Sequence, residues 1–205
     1  VMEENPRAAT QVDELVETEL ARLWLRRGER LLLACPPIRA HVGARIGGRR
    51  LVPHRPAREL PSARATPPRW PLPVAELPAE DWTDDPTLGH WAEAEAEDRD
   101  AVRLADHLAA SHGEARVVVT DRRVAVVCPA EHLAGPEVPP DGGFGTVEQL
   151  SPQRLTSLDA PFLGRSVPPR RVIAFGFADG STLFACDVHA AMKVRRAQDR
   201  AHRQR

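Results

Sequence analysis

The sequence predicts an α+β fold, mainly β, and three observations carry that prediction. Residues 171–186 (RVIAFGFADGSTLFAC) read as two half-buried strands folded about Asp179-Gly180, a pair suited to the positive φ angles of a two-residue hairpin turn. Pairing Ala178 with Ser181 sets Phe175 opposite Phe184, Ile173 opposite Cys186 and Phe177 opposite Thr182. All six then share one face, because side chains alternate along a strand. Residues 115–128 (ARVVVTDRRVAVVC) form a second hairpin, with valine in both arms and Thr120-Asp121-Arg122-Arg123 at the turn. Finally, both ends of the chain carry apolar residues at helical spacing.

The elements follow in order. Residues 11–27 place Val12, Leu15, Val16, Leu20, Leu23 and Trp24 at helical intervals, with Thr10 to cap the start and Gly28 suited to the left-handed residue past the end. Residues 30–35 form a short apolar strand that Pro36-Pro37 ends, and a second extended piece covers 38–46. Eight prolines between Leu51 and Glu80 block both helix and central strand, which makes this stretch a loop or a polyproline-like linker. A helix is expected over 91–111, a loop over 129–145, a short strand over 154–158 and a closing helix from about Val188. The division this suggests is a helical arm over 1–28 and one domain over 29–205, interrupted by a proline-rich and acidic insertion over 51–112 that contains a helix.

Composition narrows the function classes. Basic residues comprise 27 arginines and one lysine, Lys193, and the net charge of −1 gives no overall attraction to nucleic acid or to an anionic membrane. Charge is segregated locally: eight arginines stand against Glu59 alone between Arg39 and Arg69, and nine acids against Arg99 alone between Glu80 and Asp100. The simplest expectation is that the acidic segment lies along the basic one and neutralises it, or that both are solvated. The three cysteines, Cys35, Cys128 and Cys186, lack CxxC spacing and each ends an apolar strand, so they read as reduced core residues, not as zinc ligands or nucleophiles. No apolar run reaches signal-peptide or membrane-spanning length, and a cytoplasmic protein is expected. Phosphate-loop, dinucleotide, serine-hydrolase and zinc-protease motifs are all missing, so no cofactor, metal or catalytic residue is assigned.

The order of the motifs resembles the bacterial PH-like domains, relatives of the pleckstrin-homology and GRAM modules. The residues that carry the likeness are the strand ending near Cys35, Val119-Thr-Asp-Arg-Arg-Val124, Phe177-Ala-Asp-Gly-Ser181 and the trailing helix. The resemblance implies a bent antiparallel sheet or partly open barrel capped by a C-terminal helix, with an N-terminal helix and the inserted helix added here. It implies docking of protein, peptide or lipid headgroup, not catalysis. Basic residues around the first strand pair would then grip phosphates, and Arg45, Arg49, Arg50, Arg122 and Arg123 are the anion-binding candidates.

Trp70, Trp82 and Trp91 fall inside the proline-rich and acidic segment and are expected to dock it onto the body. The cations of the last helix, Lys193 among them, suit a helix C-terminus without any nucleic acid. The expected role is a non-catalytic protein-interaction or scaffold module that binds itself or another protein. The alternatives are a peripheral binder of anionic lipid or phosphoanion through the arginine cluster and, second, an enzyme of unrecognised type.

Overall fold

The computed structural model describes residues 6–60, 69–73, 79–133 and 143–203. The proline-rich stretch over 61–68 and 74–78 and most of the loop expected over 129–145 lie outside them. The chain is α+β and mainly sheet. In order it forms α1 (Pro6–Leu23), β1 (Leu31–Ala34), β2 (His41–Ile46), β3 (Arg49–Leu51), β4 (Leu88–Ala94), α2 (Asp100–Ala110), β5 (Arg116–Thr120), β6 (Val124–Pro129), β7 (Phe144–Leu150), β8 (Leu155–Asp159), β9 (Val172–Phe177), β10 (Thr182–Cys186) and α3 (Ala190–His202).

The strands make two sheets, β1-β5-β6-β7 and β3-β2-β4-β10-β9-β8. The valine-rich and phenylalanine-rich hairpins therefore belong to different sheets, which meet across a shared core that includes Val117, Val126, Phe175 and Leu183. Every pairing is antiparallel except β2 with β4, which is parallel. A parallel pair cannot be closed by a tight turn and needs a long crossover. Here β3, antiparallel to β2, supplies the return run, and the proline-rich connection then carries the chain past β2 to β4.

Two helices bracket the core. α2 touches β2, β4, β9 and β10 of one sheet and β6 and β7 of the other, while α3 touches β1, β8 and β9. The C-terminal helix thus packs on both sheets, and its Ala190, Val194 and Ala197 enter the core as their spacing predicts. The stretch read as an insertion supplies β4, in the middle of the six-stranded sheet, and α2. The helix expected from Trp91 begins only at Asp100, because residues 88–94 pair on both sides as strand.

The register of the β9–β10 hairpin differs from the expected one. Leu183 lies opposite Phe175, and Phe184 opposite Ala174. Phe177 donates to Ser181 O, which leaves Ala178-Asp179-Gly180 as a three-residue loop. Gly180 has φ of +81°, and His112 is the one non-glycine with positive φ among the described residues, so Asp179 cannot make the expected primed turn. A shift of one residue changes the face of a whole strand. Ile173, Phe175, Phe177, Leu183 and Ala185 face the shared core, whereas Phe184 and Cys186 face outward.

That outward face is covered by tryptophan. Trp91 stacks on Phe184 with centroids 4.9 Å apart, and Trp82, from the 3-10 helix at Ala79–Asp84, meets Trp91 edge-on at 6.5 Å. Trp70 packs edge-on against His41 at 5.3 Å. Trp70 and Trp82 therefore dock the crossover onto the body, as expected, whereas Trp91 belongs to the body itself, as a residue of β4.

α1 covers the outer face of the four-stranded sheet, burying Val16 and Leu20, with Trp24 just past its end, against Val118, Ala125, Val127 and Phe144. Ion pairs hold it there. The single lysine, Lys193, is buried between Asp13 of α1 (2.6 Å) and Asp187 (2.5 Å), and His189 bonds Asp13 at 2.8 Å. Burial alone would lower the Lys193 pKa, but Asp187, Cys35 and Asp13 hold it raised. Lys193 is thus a structural tether, not one of the surface cations assumed from its sequence.

Beyond α1, Arg123 donates two hydrogen bonds to Glu29, at 2.8 and 2.9 Å, and its guanidinium lies 4.0 Å from the Trp24 ring centroid. Burial acts to raise the Glu29 pKa, but bonds from Arg123, the Arg26 amide and Thr120 outweigh it and set it at about 2. This contribution to stability is complete above the ordinary value of 4.5 and is lost as pH falls toward 2. Glu29→Gln strands a buried guanidinium, so it should cost about 3–5 kcal/mol at neutral pH and flatten the stability curve across that window, as read by urea unfolding.

His90 on β4 should act in a separate window. It is buried with Nε2 unpartnered, and burial pushes its pKa down to about 4. The unfolded chain takes up a proton below 6.5 that the native state refuses until about 4, so stability falls across that interval. In His90→Gln the same unfolding series should lose that part of the slope and keep the part below it.

Candidate functional site

A cavity of about 390 Å³ opens beside α2, bounded by the β2–β3 hairpin, residues 54–58 and the β4–α2 loop. The hairpin turns at Gly47-Gly48, with φ of +54° and +77°, which is the two-residue turn that only glycine-like residues enter freely. Past β3 the chain folds back, and the His54 amide donates to Val42 O at 2.6 Å. This return brings His54 against α2.

Exposure separates the interior of the pocket from its rim. Ile46, Val102, His54 and Asp106 are buried, and Leu51 and Arg103 are half-buried. Arg55, Ala57, Arg58, Glu97 and Asp98 are exposed at the mouth. Ile46, Leu51 and Val102 make an apolar wall, and His54 donates from Nε2 to Asp106 Oδ1 at 2.7 Å on the polar one.

The polar wall extends into a network. Arg58 lies 3.4 Å from the second Asp106 oxygen and 3.7 Å from Glu148 of β7. Glu148 also accepts from Arg103 at 3.0 Å and faces His107 at 3.6 Å. Burial acts to raise the Glu148 pKa, yet His107 and Arg103, with the Gln149 amide, hold it at about 2. The pocket therefore keeps an ionised carboxylate at its back across ordinary pH.

α2 itself is fixed by the Asp-Gly-Ser turn. Its own N-cap position, Arg99, gives no side-chain cap, and the donors are met from across the sheet. The Asp100 amide donates to Asp179 Oδ2 at 2.8 Å and the Ala101 amide to Ser181 Oγ at 3.1 Å. A carboxylate at a helix N-terminus also meets the positive end of its dipole. Arg154 closes the arrangement by reaching Asp100 at 2.5 Å and Asp179 at 3.3 Å.

The five anion-binding candidates are divided between the two sheets. Arg45 on β2 and Arg50 on β3 are cross-strand neighbours, and Arg49 lies beside them, exposed on the edge strand. Arg45 reaches Glu93 of the adjacent strand at 2.5 Å, so here an acid from the acidic run does neutralise an arginine from the basic run. Arg122 and Arg123 lie at the β5–β6 turn of the other sheet. Arg122 donates to Gly28 O at 3.0 Å, and Arg123 is buried on Glu29.

The thiols have a different character. Burial pushes Cys35 up to about 12 and Cys128 and Cys186 up to about 11, far from a nucleophilic thiolate at neutral pH. Among the described residues no group of three or more His, Cys, Asp or Glu is placed to hold a metal ion, and no helix is long and apolar enough to cross a membrane.

Sequence reasoning passed over His54 and Asp106 because 52 residues separate them and the intervening chain carries no motif. One local signal was present: Asp106 interrupts the apolar stripe of Leu104, Ala105 and Leu108. An acid in that position must find a partner inside. No family model, curated protein or solved structure matches the chain.

Proposed function

We propose that the protein is a non-catalytic docking module of the PH-like kind, acting in the cytoplasm, that takes a short segment of a partner protein into the pocket beside α2. One observation carries the reading: an open cavity of about 390 Å³ pairs an apolar wall with exposed charges of both signs at its mouth. That volume lies within the range of ligand sites and suits one or two side chains of a peptide. Ile46, Leu51 and Val102 would take the apolar side chain, while Arg55 and Glu97 meet opposite charges on the segment. Neither Arg55 nor Glu97 has an ion-pair partner among the described residues.

A second reading, anionic lipid or phosphoanion binding, is favoured by the exposed Arg49 and Arg50, successive residues of edge strand β3 that place a cation on each of its faces. The two readings separate experimentally. A displayed library of short peptides, selected on the intact protein, should yield binders whose affinity falls at least about tenfold, or ~1.4 kcal/mol, in Val102→Trp and in the rim variant Arg55→Glu. Peptides that bind the variants as well as the parent, or the recovery of none, would overturn the docking reading. Flotation with phosphatidylserine vesicles at low salt tests the other arm. Capture that vanishes when Arg49 and Arg50 are both changed to Glu would assign the protein to anionic surfaces instead.

A further inference from the structure

α1 has a second face that no described residue covers. Its inward residues Asp13, Val16 and Leu20 are buried, whereas Gln11, Glu14, Leu15, Thr18, Ala21 and Arg22 are exposed. These six recur at intervals of three and four and so line one side of the helix. Leu15 is 60% exposed, and Leu23, on the flank of the stripe, is 40% exposed. Glu14 and Arg22 stand symmetrically about Thr18, and neither has an ion-pair partner among the described residues.

We propose that this face joins two copies of the chain as an antiparallel helix pair, on a two-fold axis that passes beside Thr18. The charge pattern selects both the occupant and its direction. In an antiparallel pair centred on Thr18, Glu14 of each copy lies opposite Arg22 of the other, so the two ion pairs form together. A parallel pair would set Glu14 against Glu14 and Arg22 against Arg22, which repels. Leu15 of each copy meets Ala21 of the other, and the small side chains at Thr18 and Ala21 let the axes come within about 8–10 Å. The contact is isologous, with the same patch used twice, as closed two-fold dimers require. A single helix pair buries less than the roughly 1,200–2,000 Å² of a standard stable interface, so the dimer is weak and depends on concentration. It is also salt-sensitive, because its charges lie at the surface.

The face lies on the outer side of the four-stranded sheet and the pocket opens beside β3, so this association can hold or fail independently of peptide docking. Sedimentation velocity on the intact protein over a concentration series tests it. The parent should shift from monomer toward dimer at low salt, and Leu15→Glu, Glu14→Arg and Arg22→Glu should each stay monomeric. All three positions are exposed, so unchanged thermal unfolding serves as the control for folding. Mixing Glu14→Arg protein with Arg22→Glu protein should restore a dimer, since both cross-pairs then carry opposite charges, and the double variant should dimerise alone. A parent that stays monomeric at every concentration, a dimer indifferent to these substitutions, or a mixture without rescue would each overturn the proposal.

Discussion

Because β4 runs parallel to β2, no tight turn can join them directly, and the chain between them must first run back along the sheet, as β3, and then pass β2 to reach β4; much of the molecule's shape follows from that constraint. The crossover leaves the sheet at β3, returns past His54, and carries Trp70 and Trp82 across the outer surface before β4 begins. Proline suits such a path, since it stiffens a connection that must span the sheet and form no ladder within it. The return of residues 52–58 makes one side of the pocket, and α2, which follows β4 directly, makes the other. The pocket thus forms between the segment that leaves β3 and the helix that follows β4.

The same constraint places the polar groups. α2 enters between the sheets carrying Asp100 and Asp106 on buried turns, and each acid is met from a different part of the chain: Arg154 ahead of β8, and His54 with Arg58 from the crossover. The acids are buried, whereas Arg154 and Arg58 are about half exposed; such pairs add little net stability, but leaving a buried carboxylate without its partner is expensive. We read them as devices of register, which hold α2 at one depth and one rotation. Lys193 between Asp13 and Asp187 does the same for α1 against α3. Arg123 on Glu29 fixes the chain between α1 and β1.

Much of the fold was legible because it rests on local patterns. The valines of β5 and β6 and the Thr120–Arg123 turn stand where alternation and turn chemistry put them, and the stripe of α3 faces the core. What escaped had causes outside the local sequence. Residues 92–97 read Ala-Glu-Ala-Glu-Ala-Glu, good helix formers, yet Ala92 and Ala94 lie in a strand paired on both sides, because tertiary pairing overrides propensity. The one-residue error in the β9–β10 register arose from reading Asp179-Gly180 as a two-residue turn, when the loop is Ala178-Asp179-Gly180 and the Asp179 carboxylate is turned to the α2 amide, Ser181 and Arg154. The candidate site was less legible still. Its arginines were visible as a charge run, but that run does not record which of them fold onto acids, and His54 meets Asp106 only through the parallel crossover.

The two proposed surfaces, the pocket and the outer face of α1, also bear on each other. An open pocket that grips one or two side chains cannot bind tightly, because the ordering of a flexible segment offsets much of the contact energy. Two such pockets held in one particle convert the second encounter into an intramolecular one, and the gain depends on the spacing of the sites, not on better contacts. α1 lies outside the four-stranded sheet while the pocket opens at the β3 end of the six-stranded sheet, so pairing through α1 leaves both mouths uncovered. Were both proposals to hold, the partner best matched to the geometry would present its docking segment twice, at a separation set by the α1 pair.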